Sequence, residues 1–355
     1  MPPMTSNPTF VFFTLLLVLG CSSSLENEKL EVREVEGWPS VVIPNLGLVS
    51  GVAVNSHGQP VLFHRGPRKI KPYDSKLYNE TGHFLLSHEG PIMEDTLVTL
   101  DPASGAPVSS WGKGIFFFPH GIAVDGEDNI WLTDIALHQV LKFAANSTSP
   151  ELTLGQKFSP GSNWDQFCKP TAVIVAQNGD IYVADGYCNA RILKFDSKGN
   201  FLNIFPDAQS EFKLDTPHSL AFLQESELLC IADRENHQII CLNTNFDAES
   251  FKFRLKIQKP SLGSIWAIAN RGDLLFAVNG SLPFTKTSGF IIDPTTESLV
   301  ASWNPVSDNF RYAHDIAISQ DGGAMYVAEV GPSRIWKFEI KPAKRDKMME
   351  FQSTK

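Results

Sequence analysis

The sequence of 355 residues is short of positive charge. Thirty Lys and Arg residues face 39 Asp and Glu, so the formal net charge is −9 at pH 7. The chain therefore lacks the basic surface typical of nucleic-acid-binding proteins, and no nucleic-acid partner is expected. Hydrophobic residues make up 43% of the chain and charged residues only 19%, a globular composition that excludes a disordered protein.

Long hydrophobic runs are absent after residue 21. The run at residues 10–21, FVFFTLLLVLGC, would rise about 18 Å as a helix, which is too short for a hydrocarbon core of about 30 Å. Because three serines follow it, the run predicts a signal peptide over residues 1–24, and a lipoprotein signal that would tether Cys21 stays open as an alternative. We expect the chain to enter the secretory pathway and to have no membrane span. The mature protein would then be retained in the lumen of secretory granules, secreted, or both.

Cysteine is scarce, with five residues, and none of them form a CxxC pair. Removal of Cys21 leaves four, an even number that predicts disulfides in an oxidising compartment. Four cysteines allow three pairings, and the internal repeats favour Cys168–Cys188 with Cys230–Cys241 because each pair falls within or just before one repeat. Three Asn-X-Ser/Thr sequons fit the same compartment as glycosylation sites: Asn79, Asn146 and Asn279.

Internal repetition is the strongest signal in the sequence. Each copy has a short alternating strand, a turn rich in Asp, Gly and Asn, a second apolar strand and a third that often ends in Lys-Phe. Starts at 119, 170, 217, 264 and 313 lie 51, 47, 47 and 49 residues apart, close to the size of a propeller blade. Six copies are visible, at residues 50–70, 119–143, 170–195, 217–242, 264–281 and 313–338.

These copies predict an all-β fold, a six-bladed β-propeller over residues 47–342. Residues 25–46 are expected to contribute a closing segment, and residues 343–355 a solvated basic tail. The polar stretch 71–95 lies between the first and second copies, and we expect it to be an inserted surface loop.

The first strand of each blade faces the central channel of a propeller, so equivalent positions from six blades form a ring. The residue before the first alternation is His in blades two, four and six, which are about 120° apart in six-fold symmetry. Three converging imidazoles with an open fourth position are typical of a catalytic zinc site. The ring reads Ser50, His120, Thr171, His218, Ile265 and His314.

Any one of these histidines taken alone is best explained as a satisfied core residue. Only nine His residues occur in the chain, however, and three of them occupy alternate members of one ring, which favours the metal site. The other six share no such register and are interpreted as surface, turn or packing residues: His57, His64, His83, His88, His138 and His237.

A second ring follows 14 or 15 residues later, where the second strand of each blade ends. Its polar members are expected to act as caps: His64, Asp134, Asp185, Asp233, Asn279 and Glu329. Arg65 and Arg234 come directly after two of them, and Tyr187 follows one position further along in blade three. Two arginines and a tyrosine beside a metal imply an anionic ligand.

Several segments together resemble one family, the peptidyl-α-hydroxyglycine α-amidating lyases, which are NHL-repeat propellers. The resemblance covers about residues 40–340 and rests on VSGVAV and VLFHRG, FPHGIAVD and WLTDIALHQV, ADGYCNARI, PHSLAF and IADRENHQI, and HDIAIS. One departure precedes the last histidine of the ring, where the family pattern Met-Pro-His-Asp is replaced by Tyr-Ala-His-Asp at residues 312–315.

The resemblance implies a set of site residues. The family's zinc ligands fall on His120, His218 and His314, its catalytic tyrosine on Tyr187, and its two essential arginines on Arg65 and Arg234. A structural calcium would bind the backbone carbonyls of Val52 and Ile122 and the carboxylate of Asp315. The family's disulfides correspond to Cys168–Cys188 and Cys230–Cys241.

The resemblance also implies a reaction. A peptide ending in α-hydroxyglycine would be cleaved to the peptide amide and glyoxylate, with Tyr187 as general base, zinc as Lewis acid and the arginines assisting. The family's monooxygenase domain is missing from this sequence, so a separate peptidylglycine monooxygenase is expected to supply the substrate. Two alternatives stay open: a calcium-dependent propeller lactonase or esterase, whose calcium would prefer oxygen ligands to three histidines, and a non-enzymatic secreted scaffold that binds a partner.

Overall fold

The computed structural model describes residues 30–68, 77–207, 210, 212–244, 251–280 and 287–343. The expected signal peptide at 1–24 and residues 344–355 of the expected tail lie outside these ranges. The chain divides into two compact units, Val32–Lys341 and a smaller one of Met1–Glu31 with Pro342–Lys355, in which only residues 30, 31, 342 and 343 are described. No helix of the described part is long and apolar enough to cross a membrane.

Six four-stranded antiparallel sheets confirm the six-bladed β-propeller. Blade one consists of β2 (Val49–Val54), β3 (Pro60–His64), β4 (Leu97–Leu100) and β5 (Pro107–Trp111). Blade two consists of β6 (Pro119–Val124), β7 (Ile130–Asp134), β8 (Gln139–Phe143) and β9 (Pro150–Leu154). Blade three consists of β10 (Ala172–Val175), β11 (Ile181–Asp185), β12 (Arg191–Phe195) and β13 (Phe201–Phe205). Blade four consists of β14 (Pro217–Leu223), β15 (Leu228–Asp233), β16 (Gln238–Asn243) and β17 (Lys252–Ile257).

Blade five is β18 (Ile265–Arg271), β19 (Leu274–Asn279), β20 (Gly289–Asp293) and β21 (Ser298–Trp303). Blade six is β22 (Ala313–Ile318), β23 (Ala324–Glu329), β24 (Arg334–Pro342) and, as its outer strand, β1 (Leu30–Glu34) from the other end of the chain. A short 3-10 helix, Ser87–Glu89, lies in the connection between β3 and β4.

The sequence explains why each blade forms. Middle strands such as IYVAD in β11 and LLCIAD in β15 are buried along their whole length, because both faces pack against neighbouring blades. At the turn before β7, the carboxylate of Asp125 accepts hydrogen bonds from the backbone N–H groups of Glu127 and Asn129, both at 3.0 Å. Such Asp-initiated turns supply the tight reversal that each repeat encodes.

The second ring has the capping role that the sequence suggests. The Asp134 carboxylate accepts hydrogen bonds from the backbone N–H groups of Phe117 at 2.7 Å and Phe118 at 2.9 Å. Burial raises the pKa values of the equivalent carboxyl groups Asp185 and Asp233, as it does for Asp134. These caps hold the segments that lead into the first strands, and so they set where the inner ring begins.

Both disulfides join the cysteines that the repeats favoured. Cys230 and Cys241 face each other on the paired strands β15 and β16, with their Cα atoms 4.0 Å apart. Cys168 and Cys188 connect the segment before β10 to the corner between β11 and β12, with their Cα atoms 5.4 Å apart. The second bond therefore fixes the corner that carries Tyr187.

As expected, the described part of the inserted segment, residues 77–95, is a surface loop with many exposed residues, but some of its apolar side chains also pack on the propeller. Leu77, Phe84 and Ile92 are buried, and the ring of Phe84 stacks 6.3 Å from that of Phe118. Polar residues dominate the composition of this segment, but its few apolar side chains cover the aromatic residues that precede β6. The segment is therefore packed over the propeller end that carries the inner ring.

The three sequons have different surroundings. Asn79 and Asn146 are exposed, and the Asn79 Oδ1 atom organises a local turn by accepting from the Thr81 N–H at 3.1 Å. The structure contradicts glycosylation at Asn279, because this side chain is only 2% exposed and its amide nitrogen donates to the Leu262 carbonyl at 3.1 Å. Asn279 is instead the cap of blade five.

Candidate metal centre and active site

The three ring histidines meet in the channel. His120, His218 and His314 are buried, their ring centroids lie 4.9 to 5.0 Å apart, and their potential ligand atoms all lie within 4.8 Å of one another. In the described ranges, no other group of three or more His, Cys, Asp or Glu side chains is arranged to hold a metal. The geometry therefore matches the convergence that the repeat predicts.

Backbone carbonyls from the odd-numbered blades orient these imidazoles. The Nδ1 atoms of His120, His218 and His314 lie 2.8, 2.7 and 2.6 Å from the carbonyl oxygens of residues 171, 266 and 50. A carbonyl only accepts, so each Nδ1 carries the proton and each Nε2 keeps a lone pair available as a metal ligand.

Electrostatics keep the three imidazoles neutral. Burial lowers the pKa values of His120 and His218 well below the ordinary value, and neighbouring positive groups add to the effect. Burial likewise lowers the pKa of His314 to about 3. A neutral imidazole is the form that binds a metal, so no deprotonation is needed near neutral pH.

β-bulges place the ring residues. Within the ladder of β14 and β15, Pro217 pairs with Asp233 and Ser219 with Ala232, so His218 is the extra residue of a bulge. His314 and Ser50 occupy the same position in their blades. Since a bulge re-aims the side chain of the extra residue, it turns each ring histidine out of the ordinary strand alternation.

The blade-five member of the ring is Trp266, and the assignment of Ile265 is wrong. Ile265 pairs regularly with Asn279, while Trp266 is the extra residue of the bulge. The turn between β18 and β19 joins the pair Arg271 and Leu274, which makes it two residues shorter than the turn between β14 and β15. The spacing of 14 or 15 residues between the two rings therefore does not hold in blade five, and the residue at the strand start is not the bulge residue.

Trp266 is a site residue that the sequence analysis did not assign. Its ring lies 5.6 Å from that of His218 and 5.5 Å from that of His314, and the Arg234 guanidinium lies 5.0 Å from its centroid. The alignment of bulges, rather than of strand starts, is the signal that would find it. Its indole forms an apolar wall beside the histidines.

Tyr187 reaches the histidines directly. Its hydroxyl oxygen lies 2.9 Å from the Nε2 atom of His120 and 3.2 Å from that of His218. The corner that carries it approaches blade four so closely that a Cβ on Gly186 would lie 2.2 Å from the Pro217 carbonyl oxygen. Glycine at position 186 and the adjacent disulfide therefore position the phenol.

Arg65 and Arg234 flank this group and are both buried. The Arg65 Nε atom donates to the Pro119 carbonyl at 3.0 Å, and its guanidinium lies 4.2 Å from the centroid of the Phe118 ring. The Arg234 Nε atom donates to the Glu235 carboxylate at 2.8 Å, and its guanidinium lies 5.3 Å from the centroid of the Tyr187 ring. The structure thus brings together all six residues expected at the zinc and catalytic site.

The three residues expected to bind calcium line the channel with the histidines, around a cavity of about 200 Å³. The Asp315 carboxylate accepts hydrogen bonds from the backbone N–H groups of Val52 and Ile316, both at 2.9 Å. Desolvation raises the pKa of Asp315 to about 7, and no cationic side chain among the described residues offsets it. A desolvated carboxylate beside the strand that carries Ile122 fits a hard, oxygen-ligated cation.

Comparisons with known proteins identify relatives of this chain. Residues 167–195 match the NHL repeat. The chain is 40% identical over 315 residues to peptidyl-alpha-hydroxyglycine alpha-amidating lyase 2 of Drosophila melanogaster, covering 86% of this chain and 75% of that protein. It is 37% identical over 324 residues to peptidylglycine alpha-amidating monooxygenase of Rattus norvegicus, covering 87% of this chain and 32% of that protein.

A solved structure, a gluconolactonase from Xanthomonas campestris, superimposes with a TM-score of 0.57 at 14% identity, covering 84% of this chain and 88% of that one. At this identity the likeness extends to the propeller fold alone. The sequence relatives therefore carry the family assignment, and the structural neighbour supports only the architecture.

Proposed function

We propose, because the chain belongs to the family of peptidyl-α-hydroxyglycine α-amidating lyases, that its histidine centre binds zinc and cleaves peptides ending in α-hydroxyglycine. The products are the peptide amide and glyoxylate. The observation that carries the proposal is the Tyr187 hydroxyl, 2.9 Å and 3.2 Å from the Nε2 atoms of two of the three converging histidines.

The donor set fits zinc. Three neutral imidazoles with their Nε2 lone pairs available form a His₃ set, and a catalytic zinc leaves its remaining position for water or substrate. His120, His218 and His314 would hold the ion, and their Nδ1 hydrogen bonds to carbonyls would keep the rings oriented. Zinc, when bound, supplies a Lewis acid that stabilises negative charge on the hydroxyl oxygen of the substrate.

Tyr187 is assigned to proton transfer. As the phenolate it accepts the proton of the substrate hydroxyl, the carbon–nitrogen bond then breaks with its electron pair moving to nitrogen, and the amide nitrogen takes up a proton. Atoms and electrons balance without an oxidant or reductant. The Arg234 guanidinium lies 5.3 Å from the centroid of the Tyr187 ring, so a positive charge stands beside the group assigned to proton transfer.

Arg65 and Arg234 supply the positive charge that an anionic substrate needs. A guanidinium can bind a carboxylate through two parallel hydrogen bonds, so either residue suits the terminal carboxylate that becomes part of glyoxylate. We assign Arg65 to the phenolate and Arg234 to the carboxylate or to the same network. Trp266 closes the wall beside Arg234 and excludes water.

Calcium is proposed for the channel, with the carboxylate of Asp315 and the backbone carbonyls of Val52 and Ile122 as ligands. The desolvated carboxylate supports this assignment, because a divalent cation would compensate its charge. The role is structural: these residues belong to blades six, one and two, so the ion would tie together the first strands of three blades.

The secretory pathway is the proposed location. The two disulfides require an oxidising compartment to persist, and the sequons at Asn79 and Asn146 are exposed enough to carry glycans. Within that compartment a separate peptidylglycine monooxygenase would supply the substrate. Secreted expression followed by enzymatic deglycosylation should lower the apparent mass, and an unchanged mass together with full recovery in cell lysate would contradict this location.

The decisive experiment combines metal analysis with product release. Purified protein should contain zinc and calcium and release glyoxylate from an α-hydroxyglycine peptide. His218→Ala should lose zinc and activity together, whereas His57→Ala, on an exposed turn, should keep both. Full activity of the His218 variant, or wild-type protein with neither zinc nor glyoxylate release, would overturn the proposal.

A further inference from the structure

The central channel has two ends that differ in access. At one end, which we call the front, the six residues of the inner ring are only 1% to 5% exposed: Ser50, His120, Thr171, His218, Trp266 and His314. At the other end, which we call the rear mouth, the turns between the first and second strands of the blades surround a cavity of about 1030 Å³. Its lining includes Asp125, Glu127, Gln177, Gln224, Arg271 and Asp321. The channel is therefore narrow at the front and wide at the rear.

The rear cavity meets the cavity that holds the histidines and Asp315. The two share four lining residues at the ends of the first strands: Val124, Ile174, Asn270 and Ile318. Exposure rises toward these shared residues, because Asp315, one residue after the buried His314, is partly exposed, and so are Ala317 and Ile318 beyond it. Since the ring residues on the front side of Asp315 are buried, its access to solvent comes from the rear.

Backbone groups make this path polar. The first strand of every blade ends the order of its sheet, so one edge of each first strand faces the channel and presents N–H and C=O groups to it. The backbone N–H groups of Asn55, Asp125 and Ser319 donate toward the second strand, at 3.1, 3.1 and 2.8 Å. Because backbone groups alternate between the two edges of a strand, those of the preceding residues face the channel: Val54, Val124 and Ile318. A cation that follows the channel therefore meets carbonyl oxygens along it.

The front opposes the passage of a cation by its shape and by its charge. The potential ligand atoms of the three histidines all lie within 4.8 Å of one another, and the Tyr187 hydroxyl lies 2.9 Å and 3.2 Å from two of them. The buried guanidinium groups of Arg65 and Arg234 add positive charge there. The rear mouth instead carries three carboxylates against two cationic side chains, Lys142 and Arg271. A divalent cation therefore meets less steric and electrostatic resistance at the rear.

We propose that the rear mouth is the route by which calcium reaches and leaves Asp315, so that calcium exchanges while the histidine centre stays closed. The inference rests on the calcium site of the proposed function. Channel-facing carbonyl oxygens suit such a route because calcium prefers oxygen ligands. Val54 lies two residues beyond the proposed ligand Val52, about 7 Å along the strand toward the rear. An obstruction at the rear should therefore slow calcium exchange.

The test measures calcium exchange on the full protein. Protein loaded with radioactive calcium is diluted into unlabelled calcium, and the radioactivity that stays bound is followed over time by gel filtration. Asn270→Trp places a larger side chain where the two cavities meet, so it should slow exchange about tenfold, which corresponds to about 1.4 kcal/mol on the activation free energy. The calcium content at saturation should keep its wild-type value. An unchanged exchange rate in a variant with the wild-type unfolding temperature would overturn the proposal.

Asn178→Trp is the matched control for this variant. Among the described residues of the rear turn of blade three, Gln177 and Gly179 line the cavity and the exposed Asn178 does not, so the control should exchange calcium at the wild-type rate. Glu127→Lys, at an exposed position of the mouth, reverses a charge without filling the channel. It should slow calcium binding about threefold at low ionic strength and much less at high ionic strength. Equal binding rates at low ionic strength would count against the route even if Asn270→Trp did not fold.

Failure of the proposed calcium site would be visible separately, because metal analysis of the wild-type protein would find no calcium. In that case aminoethyl methanethiosulfonate, a small cationic thiol reagent, measures access to the channel directly. It should modify the thiol of Ala317→Cys, a position that lines the channel beyond Asp315, and Asn270→Trp in the same protein should slow that reaction. Absence of modification, or equal rates with and without the second substitution, would reject the rear route.

Discussion

Tyr187→Phe tests the catalytic role of the Tyr187 hydroxyl with little change in packing. It removes one hydroxyl group and keeps the ring that packs 5.3 Å from His120 and 5.8 Å from His218. The hydroxyl lies 2.9 and 3.2 Å from two Nε2 atoms, but in zinc-bound protein these atoms would use their lone pairs on the metal and could not accept from the phenol. Loss of one partly buried hydroxyl should therefore change the free energy of unfolding by no more than about 1 kcal/mol.

The effect on rate should be much larger. Loss of a positioned general base typically lowers kcat by about 10² to 10⁴, which corresponds to roughly 3 to 5 kcal/mol on the activation free energy. A residue that merely filled space would change both quantities by similar small amounts. The excess of the rate effect over the stability effect is therefore the signature of the proposed role.

The assay measures glyoxylate release, zinc content and urea unfolding on the same preparations. Tyr326→Phe is the control, because this variant also loses a buried hydroxyl, which has no hydrogen-bond partner among the described residues. The control should keep wild-type activity. If Tyr187→Phe retained more than about a tenth of wild-type kcat with its zinc intact, the assignment of Tyr187 as the base would be refuted.

Other substitutions test the rest of the assembly. Asp315→Asn should abolish stabilisation by added calcium, which for the wild type should reach about 2.7 kcal/mol at a hundredfold excess over Kd. Thermal unfolding with and without calcium measures this stabilisation. Equal stabilisation of both proteins would contradict the proposed calcium site. Replacing Cys230 and Cys241 by Ala should lower the free energy of unfolding by about 2–5 kcal/mol, measured in urea, and an unchanged value would remove the disulfide's structural role.

A pH titration completes this set. Burial lowers the pKa of His64 to about 4, so the unfolded chain binds this proton first and stability falls between about pH 6.5 and 4. His64→Asn introduces the residue type that caps blade five. It should make the fall in the free energy of unfolding shallower by up to about 1.4 kcal/mol per pH unit. An identical slope in urea titrations at several pH values would disprove the contribution of His64.

The fold and the histidine centre could be predicted because the chain repeats itself. A residue at the same place in every copy must lie at the same depth in the channel, so reading across copies replaces long-range contact information. His120, His218 and His314 were found in this way, and the structure places their ring centroids 4.9 to 5.0 Å apart.

Features without a counterpart in the other copies could not be predicted. Residues 77–95 occur in one blade only, so nothing in the repeat indicates that Phe84 stacks on Phe118. Trp266 escaped for a related reason, since a shorter turn shifts the count in blade five by one residue. Asn279 satisfies two patterns, a sequon and a cap, and only its burial decides between them.

Alternate blades contribute different groups to the inner ring, which explains why histidine occurs at only three of its six positions. Even-numbered blades contribute imidazole side chains, which no other residue replaces as neutral nitrogen ligands oriented through a second ring atom. Odd-numbered blades contribute backbone carbonyls, which every residue possesses, so the proposed metal would place no constraint on the side chain at these positions. Serine, threonine and tryptophan can therefore occupy positions 50, 171 and 266 while all three carbonyls accept from a histidine Nδ1 atom at 2.6 to 2.8 Å. Only the backbone carbonyl of Trp266 contacts a histidine Nδ1 atom, so its side chain can pack beside Arg234. A backbone with six similar blades thereby forms a centre of three histidines whose neighbouring side chains differ.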